Sequence, residues 1–104
     1  MATSPTQLTL KLLREQGWTV EVVERWIPGA NIRKDLFGFI DLIALKDGQT
    51  LAVQATSHSN ISARVHKIEN AELLSEVRKS CWLIWVIGWR KQNNRWTHKI
   101  VDCS

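Results

Sequence analysis

The first apolar segment of the chain has the pattern of an amphipathic helix. Ser4 is a helix-capping residue, Pro5 suits the first helical turn, and Gln7 lies three residues beyond the cap. The leucines that follow supply an apolar side, and Gly17 is a residue type at which helices commonly end. The pattern therefore predicts a helix that starts at Ser4 and ends at Gly17.

Three strands are predicted next. Residues 18–26 (WTVEVVERW) mix valines with Thr and Glu, which is typical of a strand with one solvated face. Residues 36–45 (LFGFIDLIAL) are apolar except for one Asp, and predict a buried strand. Asp47-Gly48 favours a tight hairpin turn, so residues 50–55 (TLAVQA) are expected to return as its partner strand.

The second half of the chain predicts a helix and two further strands. Residues 61–79 are helical in composition, and Asn70 is a point at which this helix could divide. Residues 82–89 (WLIWVIGW) predict a buried strand, and residues 96–101 predict a final strand. The order α-β-β-β-α-β-β indicates a single α/β domain over residues 1–104.

The charge of the chain favours an acidic partner. Fourteen Lys and Arg against ten Asp and Glu give a formal net charge of +4 and a pI near 9.4. Basic residues do not form a run, so a positive surface has to be assembled by folding. We expect contacts with nucleic acid from side chains that are basic or lie near the start of the second helix: Arg33, Lys34, His58, Asn60, Arg64, Lys67, Arg90, Lys91 and Arg95.

The chain has six Trp and no Tyr, so its aromatic chemistry rests almost wholly on tryptophan. Trp packs small cores well and also stacks on nucleobases. We expect Trp82 and Trp85 in the core and consider Trp26 and Trp89 as stacking candidates.

The two cysteines indicate free thiols and an intracellular location. Cys81 and Cys103 lie far apart and outside any CxxC pair, which excludes a zinc-finger arrangement. Cys81 opens an apolar run and is expected in the core, whereas Cys103 is expected to be exposed. The polar start lacks a signal-peptide core, and the longest apolar stretch is too short to cross a membrane.

Two polar residues interrupt the paired strands at 36–45 and 50–55. Asp41 and Gln54 should lie side by side across the hairpin, and a buried carboxylate is costly unless it is paired, hydrogen-bonded or bound to a metal. Carboxylate and amide oxygens suit Mg²⁺ or Mn²⁺, and the carbonyl of Ala55 could add a ligand. Alternatively, Asp41 caps neighbouring backbone or pairs with a basic side chain, Arg33 or Lys67.

These residues, in this order of elements, resemble the PD-(D/E)XK nuclease superfamily, which includes restriction endonucleases and archaeal Holliday junction resolvases. Ile40-Asp41 stands where the family has Pro-Asp, and Gln54-Ala55-Thr56 stands where it has (Glu/Gln)-x-Lys. The stretches DLFGFIDLIAL, VQATS and WRK are also similar to uncharacterised phage and bacterial proteins grouped with it. The resemblance covers residues 7–89 and implies a restriction-endonuclease-like αβββαβ core, with a central mixed sheet flanked by helices.

The resemblance implies a metal-dependent endonuclease that hydrolyses DNA phosphodiester bonds, with branched or flapped DNA among its candidate substrates. Asp41, Gln54 and the carbonyl of Ala55 would hold Mg²⁺ or Mn²⁺. Glu24 or Gln7 would occupy the place of the family's extra acidic residue, and we favour Glu24 because a carboxylate binds a cation better than an amide. With so few carboxylates, metal binding is expected to be weak and to prefer Mn²⁺.

The sequence departs from the family where Thr56 replaces the motif Lys. A Thr hydroxyl can hold a water molecule but carries no positive charge. Lys67 or Arg64 on the following helix, or Lys46 at the end of the Asp41 strand, are the candidates to replace that charge.

Two other functions remain open from the sequence. The first is a catalytically inactive nuclease fold that binds DNA, and the second is an oligomeric interaction protein that uses the apolar segment 82–89. A domain of this size usually needs a second copy to engage two DNA strands. We therefore expect a homodimer or a larger homo-oligomer, with DNA and not a membrane as its partner.

Overall fold

A mixed five-stranded sheet lies at the centre of the computed structural model, which describes residues 3–104. The helices and strands of the described residues, in chain order, are α1 (Pro5–Glu15), β1 (Thr19–Val22), β2 (Arg25–Ile27), β3 (Ile32–Lys34), β4 (Leu42–Lys46), β5 (Gln49–Ser57), a 3₁₀ turn (His58–Asn60), α2 (Ile61–Glu69), α3 (Leu74–Lys79), β6 (Leu83–Gln92) and β7 (Arg95–Asp102).

The strand order of the central sheet is β1-β4-β5-β6-β7. All neighbours are antiparallel except β5 and β6, which run parallel because α2 and α3 connect them. β2 and β3 form a separate two-stranded hairpin outside this sheet. The expected α/β class with a mixed central sheet is therefore confirmed.

Helices cover both faces of the sheet. Leu10 and Leu13 of α1 pack on one face, against a cluster that includes Val53 of β5. Ile68 of α2 and the apolar side of α3 pack on the opposite face, against a second cluster that includes Ala52. The side chains of successive residues of β5 thus point to opposite faces of the sheet, as the pleat of a strand requires.

The local signals near the chain start and at the hairpin are confirmed. The Ser4 Oγ accepts a hydrogen bond from the Gln7 N–H at 3.2 Å, and α1 ends before Gly17, whose φ is +90°. Asp47 and Gly48 both have positive φ and join β4 to β5, which is the geometry this dipeptide favours. The predicted second helix does divide at Asn70, into α2 and α3.

Two of the predicted strands are wrong in extent. Residues 36–40 form a tight loop closed by a bridge between Leu36 and Ile40, because Phe37 and Gly38 adopt left-handed backbone conformations. Asp41 therefore lies directly before β4 and not in the middle of a strand. The strand predicted over 18–26 ends at Val22, and the chain then enters the β2–β3 hairpin.

The environments predicted for the two cysteines are reversed. Cys81 is exposed because the chain turns there, with a φ of +63°, before β6 begins. Cys103 is buried because its N–H donates to the Ile84 carbonyl at 2.7 Å and continues the edge of the sheet. Both thiols are free. From residue 3 onward, each helix is too short or too polar to traverse a lipid bilayer.

Candidate functional site

The backbone of Asp41 joins three segments of the chain. Its N–H donates to the Val53 carbonyl of β5 at 2.9 Å. Its own carbonyl accepts from the N–H groups of Val23 and Glu24, at 2.8 and 3.2 Å. Asp41 is therefore held between β5 and the segment that links β1 to β2.

The Asp41 side chain is 4% exposed and accepts hydrogen bonds from β5. Its Oδ2 accepts from the Gln54 Nε2 at 2.6 Å and from the Ala55 N–H at 3.1 Å. The contact with Gln54 follows from the hairpin that the sequence predicted. No Lys, Arg or His of residues 3–104 forms an ion pair with Asp41, so the pairing alternatives with Arg33 and Lys67 are not realised.

Three carboxyl groups meet at this point. Glu24, Asp35 and Asp41 each offer an oxygen atom, and these oxygens lie within 4.8 Å of one another. Glu24 follows β1, Asp35 follows β3, and Asp41 precedes β4. Sequence reasoning predicted Glu24 and Asp41 for the site and missed Asp35. The left-handed loop that begins after Asp35 is what returns the chain to the cluster, and Gly38 was the available signal for such a turn.

Burial raises the pKa of Asp41 from 3.8 to about 8. A hydrogen bond with the Asp35 carboxyl and the negative charge of Asp35 act in the same direction, and Glu24 adds to them. The hydrogen bond from the Ala55 N–H opposes the rise because it stabilises the charged form. At neutral pH the Asp41 carboxyl therefore carries a proton unless positive charge is brought to the cluster.

The other two acids of the cluster each have a basic partner. The Lys67 Nζ lies 2.7 Å from the Asp35 Oδ2, with side chains 38% and 12% exposed. The Arg33 Nη1 lies 3.7 Å from the Glu24 Oε1, and the Arg33 side chain is largely exposed. Lys67 is thus the candidate for the missing motif lysine that contacts the acidic cluster directly.

A cleft of about 740 Å³ opens over these groups. It is lined by the following residues of the predicted site: Gln7, Glu24, Arg33, Asp41, Gln54, Ala55, Thr56, Asn60, Arg64 and Lys67. Gln7 and Glu24 both border the cleft, but of these two only Glu24 belongs to the acidic cluster.

Six predicted residues lie away from the cleft lining. Arg90, Lys91 and Arg95 are exposed beside the turn that joins β6 to β7. Lys34 borders neighbouring depressions beside Asp35, and His58 lies in the 3₁₀ turn that packs over Gly88. Lys46 is at the far end of the β4–β5 hairpin, where its Nζ donates to the Gln16 carbonyl at 2.7 Å. The suggestion that Lys46 replaces the motif lysine is therefore wrong.

Gln54 and Thr56 are both buried and border the cleft. The Gln54 Oε1 is a buried acceptor without a hydrogen-bond partner among the described residues. Turning the amide would not remove the problem, because its Nε2 would then be left without an acceptor. An unsatisfied buried acceptor costs about 1–3 kcal/mol.

The arrangement combines hard oxygen donors with positive side chains in one cleft. Oxygen donors of this kind bind divalent cations, and the basic side chains can bind phosphate. Comparison of the chain with protein-family models, curated proteins and solved structures finds no match.

Proposed function

We propose that this protein is a metal-dependent endonuclease that hydrolyses DNA phosphodiester bonds. The observation that carries the proposal is the meeting of Glu24, Asp35 and Asp41 in a cleft that Lys67 also lines. Burying several acidic side chains close together is costly because their charges lose water, and such clusters are typical of functional sites.

The order of elements around the cleft supports this proposal. Leaving aside the β2–β3 hairpin and counting α2 and α3 as one divided helix, the chain runs α1, β1, β4, β5, α2/α3, β6, with β5 and β6 parallel. This is the αβββαβ order of the PD-(D/E)XK nucleases that the sequence resembles. Gln54 and Thr56 lie on the third of these strands, as the resemblance implies, whereas Asp41 directly precedes the second strand instead of lying on it.

The donor set fits a divalent cation. Glu24, Asp35 and Asp41 would hold it. The Gln54 amide directs its Nε2 at Asp41 and would have to turn to offer its oxygen to the cation. Asp35, which the sequence analysis did not count, would add a third carboxyl group to this donor set. When bound, Mg²⁺ or Mn²⁺ would activate water and offset the negative charge that develops on the phosphate.

The remaining side chains have separate roles in this proposal. Lys67 lies next to Asp35 and would place its ammonium group against the phosphate or the attacking water. Arg64 and Asn60 border the cleft from the start of α2 and would bind the DNA backbone. Thr56 can hold a water molecule through its hydroxyl but cannot supply charge.

The test is cleavage of plasmid, linear duplex, single-stranded and branched DNA with Mg²⁺ or Mn²⁺. The wild-type protein is compared with Asp41→Asn and with Asp47→Asn, the same change at an exposed turn. We expect metal-dependent cutting that Asp41→Asn abolishes and Asp47→Asn retains. Cutting that survives Asp41→Asn, or no cutting of any substrate, would refute the nuclease assignment.

A catalytically inactive DNA-binding module is the second candidate, and the buried Thr56 in place of a lysine favours it. It predicts salt-sensitive DNA binding without cleavage. For the third idea, an interaction surface formed by residues 82–89, Ile84, Val86, Ile87 and Trp89 are not available, because they are buried in β6, an interior strand of the sheet. A homodimer remains an expectation that sedimentation would test.

A further inference from the structure

The β2–β3 hairpin lies beside the acidic cluster and has the composition of a nucleic-acid contact. Its ten residues, 25–34 (RWIPGANIRK), include three basic side chains and no acidic one. Both strands are largely exposed, and the hairpin is separate from the central sheet. The hairpin therefore contributes little to the core, while it adds positive charge at the cleft.

Trp26 is the exposed aromatic residue of this hairpin. Its side chain is 55% exposed, and it lines the same cleft as Asp41. Arg33 lies directly opposite Trp26 across the two strands and also lines the cleft. Cross-strand partners project from the same face, so an aromatic ring and a guanidinium group are offered together.

The other tryptophans do not share this position. Trp89, the second stacking candidate from the sequence, is buried and its Nε1 donates to the Thr9 Oγ1 at 2.9 Å. Trp18 packs edge-to-face on Trp85, with the two ring centroids 6.2 Å apart. Trp96 is 42% exposed but lies on β7, at the edge of the sheet opposite β1, and it does not line the cleft.

We propose that the β2–β3 hairpin holds an unpaired nucleotide of the DNA substrate, with Trp26 stacked on its base and Arg33 on its phosphate. This inference rests on the proposed nuclease function and narrows its substrate class. Bases inside a duplex are already stacked on both neighbours, so an unpaired base is the accessible partner for an aromatic side chain. The hairpin therefore selects single-stranded, flapped or branched DNA over continuous duplex.

The position of Trp26 places that base next to the reacting phosphate. Trp26 is two residues after Glu24, which corresponds to a Cα separation of roughly 7 Å in extended chain. A base on Trp26 thus belongs to a nucleotide at, or adjacent to, the phosphate over the acidic cluster. The Arg33–Glu24 ion pair, at 3.7 Å with Arg33 largely exposed, joins the hairpin to the cluster without preventing Arg33 from reaching a phosphate.

The test is equilibrium binding in EDTA, where metal-dependent cutting cannot occur. Fluorescence anisotropy compares a labelled oligothymidine, a duplex with a single-stranded flap and a continuous duplex. The proteins are wild type, Trp26→Ala, Trp26→Phe and the control Trp96→Ala, each checked for an unchanged thermal unfolding midpoint.

We expect Trp26→Ala to weaken binding of the single strand and the flap about tenfold, because loss of base stacking typically weakens binding by roughly 5- to 150-fold. Trp26→Phe should retain most of the affinity, and Trp96→Ala all of it. Because Trp is neutral, the salt dependence should not change in Trp26→Ala. Equal losses on duplex and single strand, or a loss no greater than that of Trp96→Ala, would overturn the inference.

Cleavage is measured separately, so the two proposals can fail independently. A protein that cuts DNA but binds single strands without help from Trp26 would overturn the hairpin inference alone. Trp26-dependent binding in a protein that never cuts would overturn the nuclease assignment and support the hairpin as the site of an unpaired base.

Discussion

The variant Asp41→Asn should be more stable than the wild-type protein at neutral and alkaline pH. Asp41 is buried beside two other carboxyl groups and has no ion-pair partner among residues 3–104. An Asn side chain keeps an oxygen that can accept from the Gln54 Nε2 and the Ala55 N–H, the two donors that Asp41 uses. The substitution therefore removes the charge and keeps the acceptor.

The magnitude follows from the pKa of Asp41, which is about 8 in the folded protein against 3.8 for the ordinary group. Between these two values the folded state holds a proton that the unfolded state has lost. The free energy of unfolding of the wild-type protein therefore falls as pH rises through this window, and the loss is complete above about pH 8. At about 1.4 kcal/mol per pKa unit, the full difference amounts to several kcal/mol.

The assay is urea unfolding of wild type and Asp41→Asn in EDTA at several pH values between 4 and 9. The difference between the two proteins should be near zero at the acidic end and largest at the alkaline end. Asp47→Asn is the matched control, because Asp47 is exposed in the β4–β5 turn and its change should shift stability little at any pH. A difference that stays constant with pH, or an Asn variant less stable than wild type at pH 9, would refute the reasoning.

Divalent cations should reduce the stability difference between Asp41→Asn and the wild type. A cation bound to the carboxylates replaces the proton on Asp41, and binding at a hundred times Kd stabilises a protein by about 2.7 kcal/mol. Mn²⁺ should therefore stabilise the wild type strongly at pH 8 and weakly at pH 5. It should stabilise Asp41→Asn little at either pH. If Mn²⁺ stabilised both proteins equally, the cation would be bound at a site that does not include the Asp41 carboxylate.

Two further substitutions test how α2 serves the site. Lys67→Met removes the ammonium group that lies 2.7 Å from the Asp35 Oδ2, so we expect tighter Mn²⁺ binding by calorimetry but cleavage slowed at least about tenfold. Lys67→Arg should retain more activity than Lys67→Met. Unchanged cleavage in Lys67→Met would exclude the role of Lys67. Gly88→Ala places a Cβ into the Ile61 side chain and 3.2 Å from the His58 Cα. We therefore expect the free energy of unfolding in urea to fall by about 1–3 kcal/mol and DNA binding to weaken because α2 is displaced. A variant as stable as wild type would contradict this packing.

The parts of the fold that the sequence predicted well are those with strong local signals. The Ser4 cap, the Asp47-Gly48 turn and the division at Asn70 depend on residues close together in the chain. The hairpin then placed Asp41 beside Gln54, because register follows once the turn is fixed.

The sequence prediction fails where an apolar run belongs to a loop and not to a strand. Phe39 and Ile40 are fully buried, yet they reach the core from a loop that Phe37 and Gly38 turn with positive φ. Hydrophobicity reports burial and does not by itself report backbone conformation. The same loop brings Asp35 to the acidic cluster. Because the loop was not predicted, there was no reason in the sequence to place Asp35 in the site.

Asp41 is the common anchor of the chemistry and of the proposed substrate contact. Its carboxyl group is fixed on β5 by Gln54 and Ala55, while its carbonyl accepts from Val23 and Glu24, directly before the hairpin that carries Trp26. A substitution of the Asp41 side chain leaves those backbone hydrogen bonds in place, so Asp41→Asn should lose cation binding while the hairpin keeps its position. Single-stranded DNA binding in EDTA should therefore survive in Asp41→Asn, and its loss there would show that the acidic cluster and the hairpin are not separable in the way the hydrogen bonds indicate.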